Sequence, residues 1–320
     1  MIDLKSWNPW HGCRKYSEGC ANCYMFVLDK AHKVPGQSTE IFRTKNFAKP
    51  MERDRKGNFK VPPGYWVRVN MTSDTFLEEA DPWRDAMWRI IRYRSDVKFY
   101  ILTKRALRMA DHLPADWGEG YENVQLNVTC ENQRAFDERW PILRDIPARH
   151  KGMNLSPLIG PIDIEPALAS GQIEHIDLGG EAYGGQRPCR YEWVRQISDA
   201  CARHRVNFAF DSTGEVFIKD GRSYRIPNQK TQLHQAFRSG LSHYFGPVRF
   251  NLYDPEYGNL LSPEELYHPM YNLHRCAECT MAFACAGCGR CGRCKEVKLV
   301  DLSERSSTLL NRQVVSRYGA

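Results

Sequence analysis

The chain has 320 residues and carries 45 Lys and Arg against 38 Asp and Glu, a formal net charge of +7. Apolar residues at 42% and charged residues at 26% are ordinary for a globular protein and exclude a disordered chain, whose signature is few apolar residues and a large charge imbalance. No run approaches the roughly 18 apolar residues of a membrane helix, and MIDLKSWNPWHG lacks a basic stretch followed by an apolar core, so the sequence predicts a cytoplasmic protein without a signal peptide.

In chain order, a short strand near residues 2–6 precedes a cysteine-containing loop and the helix YMFVLDKAHK. Apolar or β-branched runs then predict strands at 65–71, 97–102, 124–130, 151–156, 174–179 and 206–211. Stretches of helical period lie between most of them, at 81–94, 131–146 and 191–205. Alternating strands and helices imply βαβ units and a parallel sheet, and about six or seven such units fit before residue 215. The fold class is therefore α/β, a barrel or partial barrel. Residues 216–273 lose the alternation and gain Pro, Gly, Tyr and His, which predicts an irregular extension; residues 274–320 form a cysteine-rich segment with a polar tail. The domain boundaries expected are thus 1–215, 216–273 and 274–320.

The chain has 12 cysteines. In a chain this long with no export signal, clustered cysteines point to metal or redox chemistry rather than a disulfide framework. Cys130, Cys189 and Cys201 are scattered and read as small buried hydrophobes. Cys13, Cys20 and Cys23 form C-x6-C-x2-C on one loop. Three thiolates there suit three irons of a [4Fe–4S] cluster with the fourth iron open. A zinc site completed by His11 suits the same residues, as does a cluster closed by a cysteine from elsewhere. Near the C-terminus, Cys276, Cys279, Cys285, Cys288, Cys291 and Cys294 give repeated C-x2-C spacing. That array predicts a structural zinc, or alternatively an auxiliary iron–sulfur cluster. The basic residues Arg275, Arg290, Arg293 and Lys295 around it permit a nucleic-acid contact, although solvated decoration of a metal knuckle is the favoured reading of them.

The segment WNPWHGCRKYSEGCANCYM resembles the opening of the phage Gp37/Gp68-like family of radical S-adenosylmethionine (radical SAM) proteins. The resemblance continues through NMTSDTF, ILTKR, NVTCEN, LSPLIGPID, LGGEAYGGQRP and VNFAFDSTGE, in order, over nearly all of residues 1–215. It implies a partial (β/α)6-type radical SAM barrel with a cysteine-rich, metal-binding C-terminal extension. It also implies a [4Fe–4S] cluster on Cys13, Cys20 and Cys23, S-adenosyl-L-methionine on the open iron, and a 5′-deoxyadenosyl radical made with electrons from a donor such as flavodoxin or ferredoxin. The likeness is nearest to members that act as lyases on a queuosine nucleotide (queuosine 5′-phosphate), cutting the base–ribose bond and releasing queuine for salvage. Modification of a DNA or RNA nucleotide and a non-catalytic, metal-stapled binding module stand as alternatives. The chain departs from many relatives at Asp211, Ser212 and Thr213, where they carry Lys-Gln-Trp.

No side chain is assigned as catalytic, since the radical comes from the cofactor. By resemblance, Tyr24 packs near the adenine. Barrel folds gather functional groups at the C-terminal ends of strands, which nominates Asn70, Thr72, Ser73, Asn127, Thr129, Asn154 and Ser156 as cofactor-binding groups. Helix capping or turn chemistry explains any one of them equally well. For the substrate, Asp74, Glu181 and Asp211 are the carboxylates suited to a base and a secondary amine. Lys104, Arg105 and Arg187 are the cations suited to a nucleotide phosphate, with surface ion pairs as the alternative for each.

Overall fold

The computed structural model describes residues 5–32, 38–183, 187–267, 270–272 and 298–300. The six C-terminal cysteines, Cys276 to Cys294, lie outside the described residues.

Strand β1 (Lys5–Trp7) is followed by β2 (Trp10–His11), helix α1 (Tyr24–His32) and β3 (Phe42–Arg43). Next come β4 (Trp66–Val69), α2 (Asp81–Tyr93), β5 (Lys98–Thr103), β6 (Val124–Thr129), α3 (Gln133–Asp145) and β7 (His150–Leu155). Helix α4 (Glu165–Ala169), β8 (Ile173–Gly179), β9 (Cys189–Arg190), α5 (Tyr191–His204) and β10 (Asn207–Ser212) complete the repeating part. Beyond it lie β11 (Val216–Lys219), β12 (Arg222–Arg225), α6 (Gln229–Arg238), β13 (Met270–Asn272) and β14 (Lys298–Val300).

Seven strands form one parallel sheet in the order β1-β4-β5-β6-β7-β8-β10. The first and last strands of this order pair on one side only, so the sheet curls into a half-barrel rather than closing. The sequence expectation of an irregular extension needs correction: residues 216–238 hold a hairpin, β11 with β12, and helix α6. The hairpin turns at Asp220 and Gly221, both at positive φ (52° and 73°), the pairing a tight two-residue turn demands.

Local chemistry explains the helix boundaries. Helix α2 opens with Pro82 in its first turn, where a missing N–H costs nothing, and buries Met87, Trp88 and Ile91 against the sheet. Asn132 caps α3, its side-chain oxygen accepting from the Ala135 N–H at 3.0 Å. Helix α5 stops at Arg205, which takes the left-handed conformation at φ 56°.

The sheet separates two chemistries by strand parity. Val67, Val69, Phe99, Ile101, Val124, Leu126, Val128, Met153, Leu155, Ile176, Leu178, Phe208 and Phe210 alternate along their strands and belong to the single hydrophobic core under the helices. A strand covered on both faces ordinarily reads as a continuous apolar run. Here the opposite parity is polar and still largely enclosed: Lys98, Gln125, Asn127, Thr129, His150, His175, Asp177 and Asn207 are buried on the inner face. At the amino ends of the strands that face is closed by the segment after α6. Phe250 meets Trp66 edge-on, with centroids 5.0 Å apart, and stacks on His150 at 3.8 Å.

Candidate functional site

At the carboxyl ends of the strands the inner face is crossed by the loop 12–23, which holds Cys13, Cys20 and Cys23. Its path is pinned strand by strand. After β4, the Gly12 N–H donates to the Thr72 carbonyl at 3.2 Å and the Ser73 hydroxyl to the Gly12 carbonyl at 2.5 Å. After β5, Arg105 donates to the Arg14 carbonyl at 3.1 Å. After β6, Glu131 accepts from the Ser17 hydroxyl and, at 3.2 Å, from the Gly19 N–H. After β8, Glu181 accepts from the Asn22 amide at 3.0 Å and pairs with Arg187, which also donates to the Glu18 carbonyl at 2.8 Å. Gly12 makes the close seating feasible, because at φ 88° a Cβ there would stand 2.3 Å from the Glu40 carbonyl oxygen.

Glu131 is the most heavily engaged of these anchors. Arg139, fully buried beside it, donates to its carboxylate at 2.8 Å and also to the Thr129 carbonyl. Burial on its own would raise the Glu131 carboxyl; Arg139, the Ser17 hydroxyl and Lys104 together hold it below its ordinary value. The carboxylate is therefore charged and bonded on both oxygens.

The nominated residues divide into two groups. Asp74 is committed to the fold: its carboxylate accepts from the Phe76 N–H at 2.9 Å, the Thr103 hydroxyl at 2.6 Å and the Lys104 N–H at 3.0 Å. Glu181, Arg187 and Arg105 serve the loop as described, and the Arg105 guanidinium also lies 4.8 Å over the Tyr16 ring. Tyr24 donates to the Met71 carbonyl and faces Tyr183, with ring centroids 6.4 Å apart, at the rim. The second group lies at the strand ends themselves. Asn70 Oδ1, Thr72 Oγ1, Asn127 Oδ1 and Thr129 Oγ1 are buried with no hydrogen-bond partner among the described residues. Asn154, Ser156, Lys104 and Asp211 are half-buried at the same ends of β7, β5 and β10. Buried polar atoms without a partner, as at Asn70, Thr72, Asn127 and Thr129, are rare in a folded protein and each needs an explanation.

Sequence reasoning missed several inward residues. Gln125 Nε2 and His150 Nε2 are also buried without hydrogen-bond partners among the described residues. Tyr100 reaches Asp177, its hydroxyl 3.5 Å from Oδ2, while His175 bonds Oδ1 at 2.8 Å. Burial, then the Asp177 carboxylate, pushes the Tyr100 phenol up, so it stays neutral. Gly152 faces Asn127 across the ladder, and its missing side chain is what lets the Asn127 amide lie flat there. The signal for these positions was in the sequence: polar residues at every second place of QLNVT, on strands whose other places are apolar.

The three loop cysteines are free thiols and half-buried. Burial, followed by the Asp74 charge, pushes Cys13 up to about 12, and burial raises Cys23 as well. Among the described residues, no three His, Cys, Asp or Glu side chains are gathered so as to hold a metal ion.

A family model described as "Protein of unknown function (DUF5131)" matches residues 3–251. No curated protein and no solved structure matches the chain. With no metal-holding group among the described residues and a matching family that carries no assigned activity, the radical SAM resemblance is not upheld, nor is the narrower likeness to queuine lyase. The [4Fe–4S] cluster on Cys13, Cys20 and Cys23, the use of S-adenosyl-L-methionine and the radical cleavage of a queuosine nucleotide fall with it. The fold is corrected in the same way, to an α/β half-barrel without the radical SAM and metal-binding qualifiers. The zinc or auxiliary cluster expected on Cys276, Cys279, Cys285, Cys288, Cys291 and Cys294 falls outside the described residues, and no metal group among the described ones supports that cofactor set. Among the described residues no helix is long and apolar enough to cross a membrane.

Proposed function

The chain belongs to the DUF5131 family, and from its own geometry we propose that it binds a small polar molecule of the nucleotide class in the mouth of the half-barrel. One observation carries this reading: the inner parity of the sheet is polar, and its buried Asn70, Asn127, Thr129 and Gln125 atoms have no partner among the described residues. Leaving such an atom unbonded costs about 1–3 kcal/mol, so a wall of them is stabilised by whatever bonds it. Hydroxyls of a ribose and the edge of a base supply donors and acceptors of the matching kind. The Tyr24 and Tyr183 rings at the rim offer flat surface to a base. The binding chemistry runs through short neutral groups with charges of both signs nearby, a lining that favours a compact polar ligand over an extended polyanion. We place this activity in the cytoplasm.

Titration calorimetry with a panel of nucleosides and nucleoside 5′-monophosphates tests the proposal. Binding of at least one class at micromolar to low millimolar levels is expected, weakened about tenfold or more by Asn154→Leu, which removes a half-buried amide at the carboxyl end of β7. Failure of the whole panel, or equal binding by a folded Asn154→Leu protein, overturns it.

A further inference from the structure

Arg68 lies on the inner parity of β4, in one cross-strand row with Tyr100, Gln125 and His150. Its side chain is half-buried, and the guanidinium lies 5.8 Å over the Tyr100 ring. Beyond that ring contact it makes no hydrogen bond and no ion pair among the described residues. The contrast with the other enclosed arginines is sharp. Arg84, Arg94 and Arg139 each bond a carboxylate and at least one backbone carbonyl. A guanidinium cannot shed its charge, and it presents five donors in a fixed fork matched to carboxylate and phosphate oxygens. A structural arginine uses that fork; this one leaves it open, inside the wall where neighbouring polar atoms are also unbonded.

We propose that Arg68 is the oxyanion-holding residue of the site, binding the phosphate of the ligand with the Tyr100 ring beneath the guanidinium. The inference rests on the nucleotide reading above and sharpens it: the ligand is a phosphorylated one, and its negative end lies toward β4. Lys104, half-buried after β5, is the second cation on this side.

The test uses the full chain with inorganic phosphate and, separately, acetate, titrated into the parent protein, Arg68→Met and Arg68→Lys. Saturable one-to-one phosphate binding is expected in the parent, weakened about 10- to 100-fold in Arg68→Met. Arg68→Lys should hold more of the affinity than Arg68→Met, because it keeps the charge and loses only the fork. Thermal unfolding supplies the independent readout. An unpaired cation kept for a ligand is a stability cost, so the Arg68→Met midpoint should equal or exceed that of the parent. No saturable phosphate binding by the parent, undiminished binding by Arg68→Met, or a lowered Arg68→Met midpoint would each overturn the assignment. Acetate bound as tightly as phosphate overturns the phosphate assignment in favour of a carboxylate ligand. Phosphate bound through Arg68 without any response to nucleosides refutes the nucleotide reading and leaves the oxyanion site standing.

Discussion

Gly152 sits in the middle of β7, a place where glycine weakens a strand and alanine would ordinarily strengthen it by about 0.5–1 kcal/mol. The structure reverses that expectation for Gly152→Ala. A Cβ at this position would stand 2.2 Å from Asn127 Oδ1 and 3.1 Å from the His175 carbonyl oxygen. The backbone contact is tight but tolerable; the contact with Asn127 is not, so the amide must rotate away. In doing so it gives up two bonds, from Nδ2 to the Ile101 carbonyl at 3.0 Å and to the Gln125 carbonyl at 3.1 Å. At about 0.5–1.5 kcal/mol each, their loss outweighs the backbone gain and leaves a net destabilisation of about 1–2 kcal/mol. Urea unfolding measures it as a lowered midpoint at unchanged slope. The cause is separable, because Asn127→Ala removes the obstacle: in that background Gly152→Ala should cost nothing or stabilise, giving a coupling of about 1 kcal/mol or more in the double-mutant cycle. An equal loss in both backgrounds, or a Gly152→Ala protein as stable as the parent, would refute the argument.

Glu131→Gln removes the counter-charge from the buried Arg139 and turns one of the two accepting oxygens into a donor, so either Arg139 or the cysteine loop loses its acceptor, and should cost about 3–5 kcal/mol; limited proteolysis should then cut within residues 12–23 before the sheet opens. Because the folded Glu131 carboxyl is held below its ordinary value of 4.5, its contribution is present above that value and lost as pH falls through the lower folded value. Acid unfolding of the parent should therefore narrow its stability lead over Glu131→Gln below pH 4.5, and a constant gap across that range would contradict the sign. Arg205→Gly relieves a left-handed residue at φ 56° after α5 and should stabilise by about 0.5–1 kcal/mol, although it forfeits an exposed stack on Phe245 at 5.1 Å; a lowered midpoint would show that stack to matter more than the backbone.

The sheet was legible because each strand carries its own apolar parity. The stretch 124–130 corresponds to β6 at Val124–Thr129, and 206–211 to β10 at Asn207–Ser212, each displaced by about one residue. The amphipathic stretch 191–205 ends one residue past α5, where Arg205 turns left-handed. Residues 216–238 were illegible at the level of composition because β12 is exposed along its whole length and offers no apolar alternation. The Asp220–Gly221 turn and the Asn228 cap, which accepts from the Thr231 N–H at 3.2 Å, were nonetheless present as local signals. At the site, spacing drew attention to three cysteines, yet spacing along a loop does not determine where thiols end up in space. Asp74 and Glu181 could not be separated from binding groups by sequence, because the partners that occupy them include residues 29 and 159 positions away. Arg68 escaped notice for the opposite reason: a single charge within WVRVN reads as the solvent side of a strand until the sheet curls around it.

The division of the sheet by parity also bears on how this chain tolerates change. Positions such as Leu126, Val128 and Met153 belong to the core, whereas their immediate neighbours Thr129 and Asn154 lie on the inner wall proposed to hold the ligand. A saturating substitution map should therefore alternate along one strand, abundance falling at one residue and binding at the next. Because the two demands fall on different residues, selection can rewrite the inner wall for a new ligand while the outer wall keeps the protein folded.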